Sequence, residues 1–433
     1  MRIAFINQPA TPASRPRGCD SVGIWTYQVA RRLAPRCDVL FYGQQHVTAP
    51  RVEVAEGIEY RPVTARGDRL RRALRILDRW RLAPARRPVF ASPLFHRGYA
   101  QAVTHDLQGR GCDIVHIHNY SQFVPLVRAA HPHAKIVLHM HCQWLSQLDS
   151  RMIARRLAHV DRVIGCSDFV TNCIRERFPQ FADRCRTIYN GVDHERFCTA
   201  EKAPDDGNAS NGDVSDANSP SGGTSSAPRR LLYVGRISPE KGLHVLFDAF
   251  AQVAAEIPHV QLDIVGPEAV VPIDFLVRIS DDPRVSRLRT FYSGSYREQL
   301  IRRLDSRLAE RVHFHGNLPQ EELVEFYRRA DVLINPSLSE AFGMSLAEAM
   351  AAGTPVIGAR VGGMCDVVQP GQTGWLVEPD DPAALADAIG TALQATTADR
   401  AAMGRAGRQR VLERFSWEQV SQRLYDCYEE LCV

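Results

Sequence analysis

Two glutamates eight residues apart, Glu340 and Glu348, enclose the stretch Ala341-Phe342-Gly343-Met344 and a run of small residues. Eight residues is a little over two helical turns, so two carboxylates at this spacing on one helix project from nearly the same face. The pattern from Asp331 to Gly358 predicts strand, loop, helix, strand, with Glu340 at the start of the helix and Glu348 in its first turns. Gly343 allows backbone N–H groups to approach a ligand closely. A carboxylate beside a helix N-terminus is a poor phosphate site but a good clamp for sugar hydroxyls. Without further context, two helix carboxylates are more often surface charges.

A second constellation is Gly235-Arg236 followed by Glu240-Lys241-Gly242. It places two cations five residues apart where a strand ends and a helix begins. Side-chain charge and helix dipole together would neutralise a phosphate there. The plainer reading is a solvated Arg and Lys at a helix mouth. Of the 53 basic side chains only Lys135, Lys202 and Lys241 are lysines, which weakens that plainer reading. A third candidate, Arg17 to Gly23, lies between the first strand and the first helix but matches neither G-x-G-x-x-G nor a P-loop.

His116/His118 and His139/His141 each sit two apart, so each pair shares one strand face. Four imidazoles at neighbouring strand ends can hold zinc. Apart from Cys142, no thiol or carboxylate adjoins them in a metal-like pattern, which favours packed or sugar-contacting histidines.

These groups must be held by elements that the periodicity supplies. Short apolar strands alternate with amphipathic helices, as in a doubly wound α/β domain. Strands are expected at 2–7, 37–42, 114–119, 135–142, 162–166 and 186–190, with a helix over 23–33. A second such unit is expected from strands at 230–234, 261–265, 312–316, 331–335 and 355–358, with helices at 243–257 and 297–308 and a terminal one at 417–431. Polar residues at the carboxyl ends of parallel strands are where such folds bind ligands. The segment 201–228 is Ser, Gly, Asn, Asp and Pro with only Val214 as a large aliphatic, so it reads as a linker.

With 433 residues the chain is long enough for two domains, and a formal charge of +4 gives no argument for nucleic acid. Eleven cysteines with no C-x-x-C pair indicate neither a disulfide framework nor a zinc finger, so reduced thiols and a cytoplasmic location are expected. Met1 to Pro9 reads as a strand rather than a signal peptide, and no apolar run is long enough to span a membrane. Between Arg61 and Arg97, eleven arginines face only Asp68 and Asp78. Within that stretch Arg69–Leu82 has the pattern of a basic amphipathic helix. It suits either peripheral contact with an anionic inner membrane face or packing on a core with a solvated arginine face.

Together the motifs resemble those of the retaining GT-B glycosyltransferases of the large family-4 group, over nearly the whole chain. The resemblance rests on SEAFGMSLAEAMAAGTPVIG, YVGRISPEKG, HFHGNLPQEELVEFYRRADVLINPS, GQTGWLVEPDDPAALADAI and the NGVD at Asn190–Asp193. It implies an α/β protein of two Rossmann-like doubly wound domains facing a cleft. The expected division is an acceptor-side domain at 1–198, a linker at 199–229, a nucleotide-sugar-binding domain at 230–415 and a terminal helix at 416–433 crossing back to the first domain. The resemblance also implies that Arg236 and Lys241 neutralise the donor diphosphate and that Glu348 holds the ribose. Glu340 and the Ala341, Phe342, Gly343 and Met344 backbone would hold the transferred sugar. His141 would stand near the reacting centre, with His139 as the alternative, and Gly23 beside the phosphates. No metal or cofactor is expected beyond the donor substrate, and the acceptor is not written in the sequence. The chain departs from the family at Asp20-Ser21, where paired glycines are usual, and in the longer segment Glu268–Arg311. A GT-B nucleotide-sugar epimerase and a non-catalytic binding protein share the fold; joint retention of Arg236, Lys241, Glu340 and Glu348 favours transfer. A dinucleotide oxidoreductase is disfavoured because no G-x-G-x-x-G follows the first strand.

Overall fold

The computed structural model describes residues 1–15, 20–45, 52–64, 83–197 and 228–432. The basic stretch Arg69–Leu82, residues Arg17–Cys19 and nearly all of the segment read as a linker lie outside the described residues.

Two sheets carry the fold. The first has the order β3-β4-β2-β1-β5-β6-β7-β8, from strands β1 (Arg2–Ile6), β2 (Asp38–Gln44), β3 (Glu53–Ala55), β4 (Ile58–Val63), β5 (Ile114–His118), β6 (Lys135–Met140), β7 (Arg162–Gly165) and β8 (Cys185–Thr187). All its pairings are parallel except β3 with β4. The second is parallel throughout, in the order β11-β10-β9-β12-β13-β14. Its strands are β9 (Arg229–Val234), β10 (Val260–Val265), β11 (Val312–Gly316), β12 (Val332–Asn335), β13 (Val356–Ala359) and β14 (Gly374–Val377). Parallel strands covered on both faces need unbroken apolar runs, and β5, β7, β12 and β13 are buried along their whole length. β5 meets this condition with two histidines inside it, which must therefore find partners within the core.

The strands β3, β4 and β14 were not expected, and one expected helix is divided. β3 and β4 form a short ribbon around Glu56-Gly57, and both turn residues take positive φ. β14 is only four residues long. The helix expected over 297–308 is two pieces, Tyr296–Ile301 and Ser306–Ala309, because Asp305 accepts the Leu308 N–H at 2.8 Å and caps a fresh start.

The helix Trp417–Cys432 packs on the first sheet: its Trp417, Val420, Leu424 and Tyr428 share a core with Ile3, Phe5, Trp25 and Val29. A Cβ on Gly191 would lie 2.2 Å from the Trp417 ring, so this contact requires glycine in the loop after β8. Opposite, the segment 273–288 of the second unit reaches the first. Phe275 stacks on Phe90 at 4.4 Å, Trp144 Nε1 donates to the Phe275 carbonyl at 3.0 Å, and Arg86 pairs with Asp281 at 2.7 Å. No helix among the described residues is long and apolar enough to cross a membrane.

Candidate active site

The helix after β12 begins at Met344, not at Glu340. Gly343, with φ 103°, ends the preceding loop in a conformation that favours glycine. Glu340 therefore stands four residues outside the helix, and the one-face relation to Glu348 does not hold. Glu348 lies on the helix Met344–Ala351, whereas Glu340 is held by the loop. That loop is fixed from beneath. A Cβ on Gly362 would meet the Glu340 carbonyl at 1.9 Å, and one on Gly363 would meet the Ala341 carbonyl at 2.2 Å.

The loop brings Glu340 to Lys241, whose Nζ donates to Oε2 at 2.6 Å. Burial pushes the Glu340 carboxyl up, but Lys241 overrides it and the pKa falls below the usual value. Lys241 ends a short 3-10 turn, Pro239–Lys241, where Gly242 turns the chain at φ 70° into the helix Leu243–Glu256. Arg236, at the end of β9, keeps its side chain 44% exposed while its Nη2 donates to buried Glu240 at 3.1 Å. Ser238 donates to the other Glu240 oxygen. One carboxylate thus anchors the arginine without covering it. Glu240 has an anchoring role that its sequence position did not reveal.

Glu348 accepts from the buried Tyr327 hydroxyl at 2.6 Å, and burial pushes its pKa up to about 7. Tyr327 was not found from the sequence; its signal was only an aromatic 21 residues before the glutamate, on the helix Gln320–Arg329.

On the facing unit the four histidines form two hydrogen-bonded pairs. His116 Nε2 lies 3.2 Å from His139 Nδ1, and His118 Nδ1 lies 3.0 Å from His141 Nε2. His116, His118 and His139 are fully buried, with Trp25 against the His139 ring at 4.6 Å. Burial holds the His141 pKa down at about 4, with the Asn190 side chain opposing. Candidate ligand atoms of His116, His118 and His139 lie within 4.8 Å of one another, but the facing nitrogens in each pair are spent on hydrogen bonds. His141 is the half-buried member, just past β6, and its backbone N–H donates to Asn119 Oδ1 at 2.7 Å. Gly23 lies in the first turn of the helix Ser21–Leu33, and its N–H donates to the capping Asp20 at 2.7 Å.

The two halves converge at β7. The Cys166 thiol lies 3.7 Å from the Ala341 carbonyl, and burial raises its pKa with further contributions from Cys142 and Glu340. Beside this point a cavity of about 580 Å³ opens between the units. Gln143, Gln147 and Arg177 line it from the first unit, Asp281 and Arg284 from the 273–288 segment, and Ser339 and Gly362 from either side of the Glu340 loop. Arg86 and Arg284 have carboxylate partners in the wall, whereas Arg177 has no ion pair among the described residues.

Residues 22–196 match the family Glycosyltransferase Family 4, and residues 214–410 match Glycosyl transferases group 1. The chain is 29% identical to a D-inositol 3-phosphate glycosyltransferase of Streptomyces scabiei, over 96% of this chain and 88% of that one. It is also 29% identical to a glycogen synthase of Mycobacterium tuberculosis, over 73% and 68%. Among solved structures, a sucrose-phosphate synthase from Thermosynechococcus elongatus superimposes with a TM-score of 0.71 at 23% identity, covering 99% of this chain and 98% of that one. An Anabaena protein in complex with UDP-glucose gives 0.64 at 18%, covering 99% and 100%. Two Rossmann-like sheets, parallel but for one edge ribbon, the loop with Glu340 between them and these matches lead to one conclusion: the chain is a group 1 glycosyltransferase with the GT-B fold.

Proposed function

We propose that this enzyme transfers a sugar from a nucleoside-diphosphate sugar to an acceptor hydroxyl with retention of anomeric configuration. The observation that carries the reading is the Lys241–Glu340 pair at 2.6 Å, which ties the cationic turn after β9 to the loop after β12. A diphosphate arriving at Arg236 and Lys241 competes with Glu340 for the ammonium, freeing the carboxylate to accept hydroxyls of the transferred sugar. As the donor bond breaks, charge grows on the β-phosphate, and Arg236 with Lys241 stabilises it. The leaving phosphate then takes the proton of an acceptor attacking from the same face. The two cations supply the charge that this departure needs.

In this reading residues 1–198 form the acceptor-side domain, 230–415 the donor domain, and 416–433 a helix returning to the first. Glu348 accepts the ribose hydroxyls, and the Ala341–Met344 backbone cradles the sugar. Gly23 lies beside the phosphates, and His141 faces the sugar from the opposite side of the cleft. The cavity beside Ser339 and Gly362 receives the acceptor, its size suited to a small saccharide or polyol. The Anabaena relative's complex with UDP-glucose makes a uridine diphosphate sugar the first donor to test. Titration calorimetry against UDP, GDP, ADP and their sugars decides the matter. Saturable binding of one nucleoside diphosphate supports the reading; binding of none, with NAD(H) bound instead, ends it.

A further inference from the structure

The hydrogen bonds around Thr26 have only one consistent direction. Its Oγ1 lies 2.7 Å from Asn7 Oδ1, 2.9 Å from the Val22 carbonyl and 3.0 Å from His118 Nε2. Asn7 cannot be turned around, because its Nδ2 donates to the Tyr42 carbonyl at 3.0 Å. Two of the three neighbours of Oγ1 are therefore acceptors only. The single hydroxyl proton must go to one of them, since aiming it at His118 would leave two oxygen–oxygen contacts without a proton. His118 Nε2 is then the donor to Thr26.

The rest follows along the chain of rings. His118 is fully buried and neutral, so a proton on Nε2 leaves a lone pair on Nδ1. That lone pair faces His141 Nε2 at 3.0 Å, which must donate. His141 thus carries its proton on Nε2. We infer that Thr26 and His118 are positioning residues that fix this tautomer and leave a lone pair on His141 Nδ1. The Asn190 side chain, which bonds the His141 ring, must then present its Nδ2 to that nitrogen until a sugar hydroxyl takes its place. The assignment of Nδ1 to a sugar rests on the functional reading above; the tautomer itself does not.

The neighbouring ladder behaves differently. Tyr428 lies 2.7 Å from His116 Nδ1, His116 is bonded to His139, and His139 Nε2 is buried without a partner among the described residues. A tyrosine hydroxyl both donates and accepts, so nothing in that ladder sets a direction. It serves as the control.

The test is long-range ¹⁵N–¹H NMR of the full-length, ¹⁵N-histidine-labelled protein, with His141 assigned from His141→Gln. The unliganded wild type should show His141 in the Nε2–H form alone. Thr26→Val removes the acceptor of the His118 proton and should shift His141 towards the Nδ1–H form, lowering kcat/KM for the donor about tenfold. Thr26→Ser should restore both, and Tyr428→Phe should leave the tautomer unchanged. A wild-type spectrum showing Nδ1–H or a mixture overturns the inference, even if Thr26→Val does not fold. So does an unaltered spectrum in Thr26→Val, or the same shift in Tyr428→Phe. If His141→Gln turns over normally, the sugar contact falls while the tautomer assignment stands.

Discussion

Lys241 and Glu340 share one ion pair but should fail differently when removed. Lys241→Ala deletes the proposed charge-assisted donor to the diphosphate, and such bonds contribute about 1.5–3 kcal/mol. Nucleoside diphosphate affinity measured by calorimetry should fall at least about tenfold. Glu340→Ala leaves the cation in place and should instead lower turnover about a hundredfold, the scale of losing one preorganised polar contact in a transition state. Unchanged steady-state rates would refute the assignment. Glu348 adds a pH signature. Its carboxyl titrates near 4.5 when unfolded and at about 7 in the fold, so between these values only the folded protein holds the proton. Stability of the free enzyme should decline as pH rises through that window. In the proposed role of Glu348 the ionised form is the better acceptor for ribose hydroxyls, so the thermal shift caused by the nucleotide should grow between about pH 6 and 8. Glu348→Gln should flatten that growth.

At the scale of elements, the placement of much of the candidate site was legible because its motifs are local. Arg236, Lys241 and Glu348 stand where strand ends and helix starts put them. What escaped depends on how the turns fold and pack, at short separations as well as long ones. Tyr327 reaches Glu348 across another helix, Glu240 anchors Arg236 only because Ser238 and the turn bury it, and Asp20 takes the Gly23 N–H. The placement of Glu340 on a helix failed for a backbone reason: Gly343 in the left-handed region starts the helix late. The β3–β4 ribbon was missed because a three-residue strand carries too little alternation to register. The glycines beneath the Glu340 loop yield a prediction of their own. Gly362→Ala forces a Cβ into the Glu340 carbonyl at a φ of 56° and should cost turnover well before it costs folding. Comparing kcat with Tm separates the two effects.

For the whole molecule, the two sheets meet on one side through the aromatic trio Phe90, Trp144 and Phe275. Phe275→Ala should lower acceptor kcat/KM more than donor affinity, because it loosens the wall holding Asp281 and Arg284 without touching Arg236 or Lys241. Equal losses for both substrates would place this contact in general domain closure instead. Arg177→Ala is expected to raise the acceptor KM several-fold while sparing nucleotide binding. Steady-state kinetics with each substrate varied in turn distinguishes these outcomes.

The position of Trp417–Cys432 on the first sheet carries a consequence for biosynthesis. During translation the strand Arg2–Ile6 leaves the ribosome without the side chains that cover one of its faces, since Trp417, Val420 and Tyr428 are made only after the whole second sheet. The order common in multidomain proteins, amino-terminal unit first, is therefore reversed in its final step. The second sheet has one core cluster entirely its own, from Leu231 to Leu393, which can close while the first sheet waits. Arrested nascent chains lacking residues 417–432 should yield a protease-resistant fragment from the later half and rapid cleavage within the earlier one. Release of the full chain should protect both.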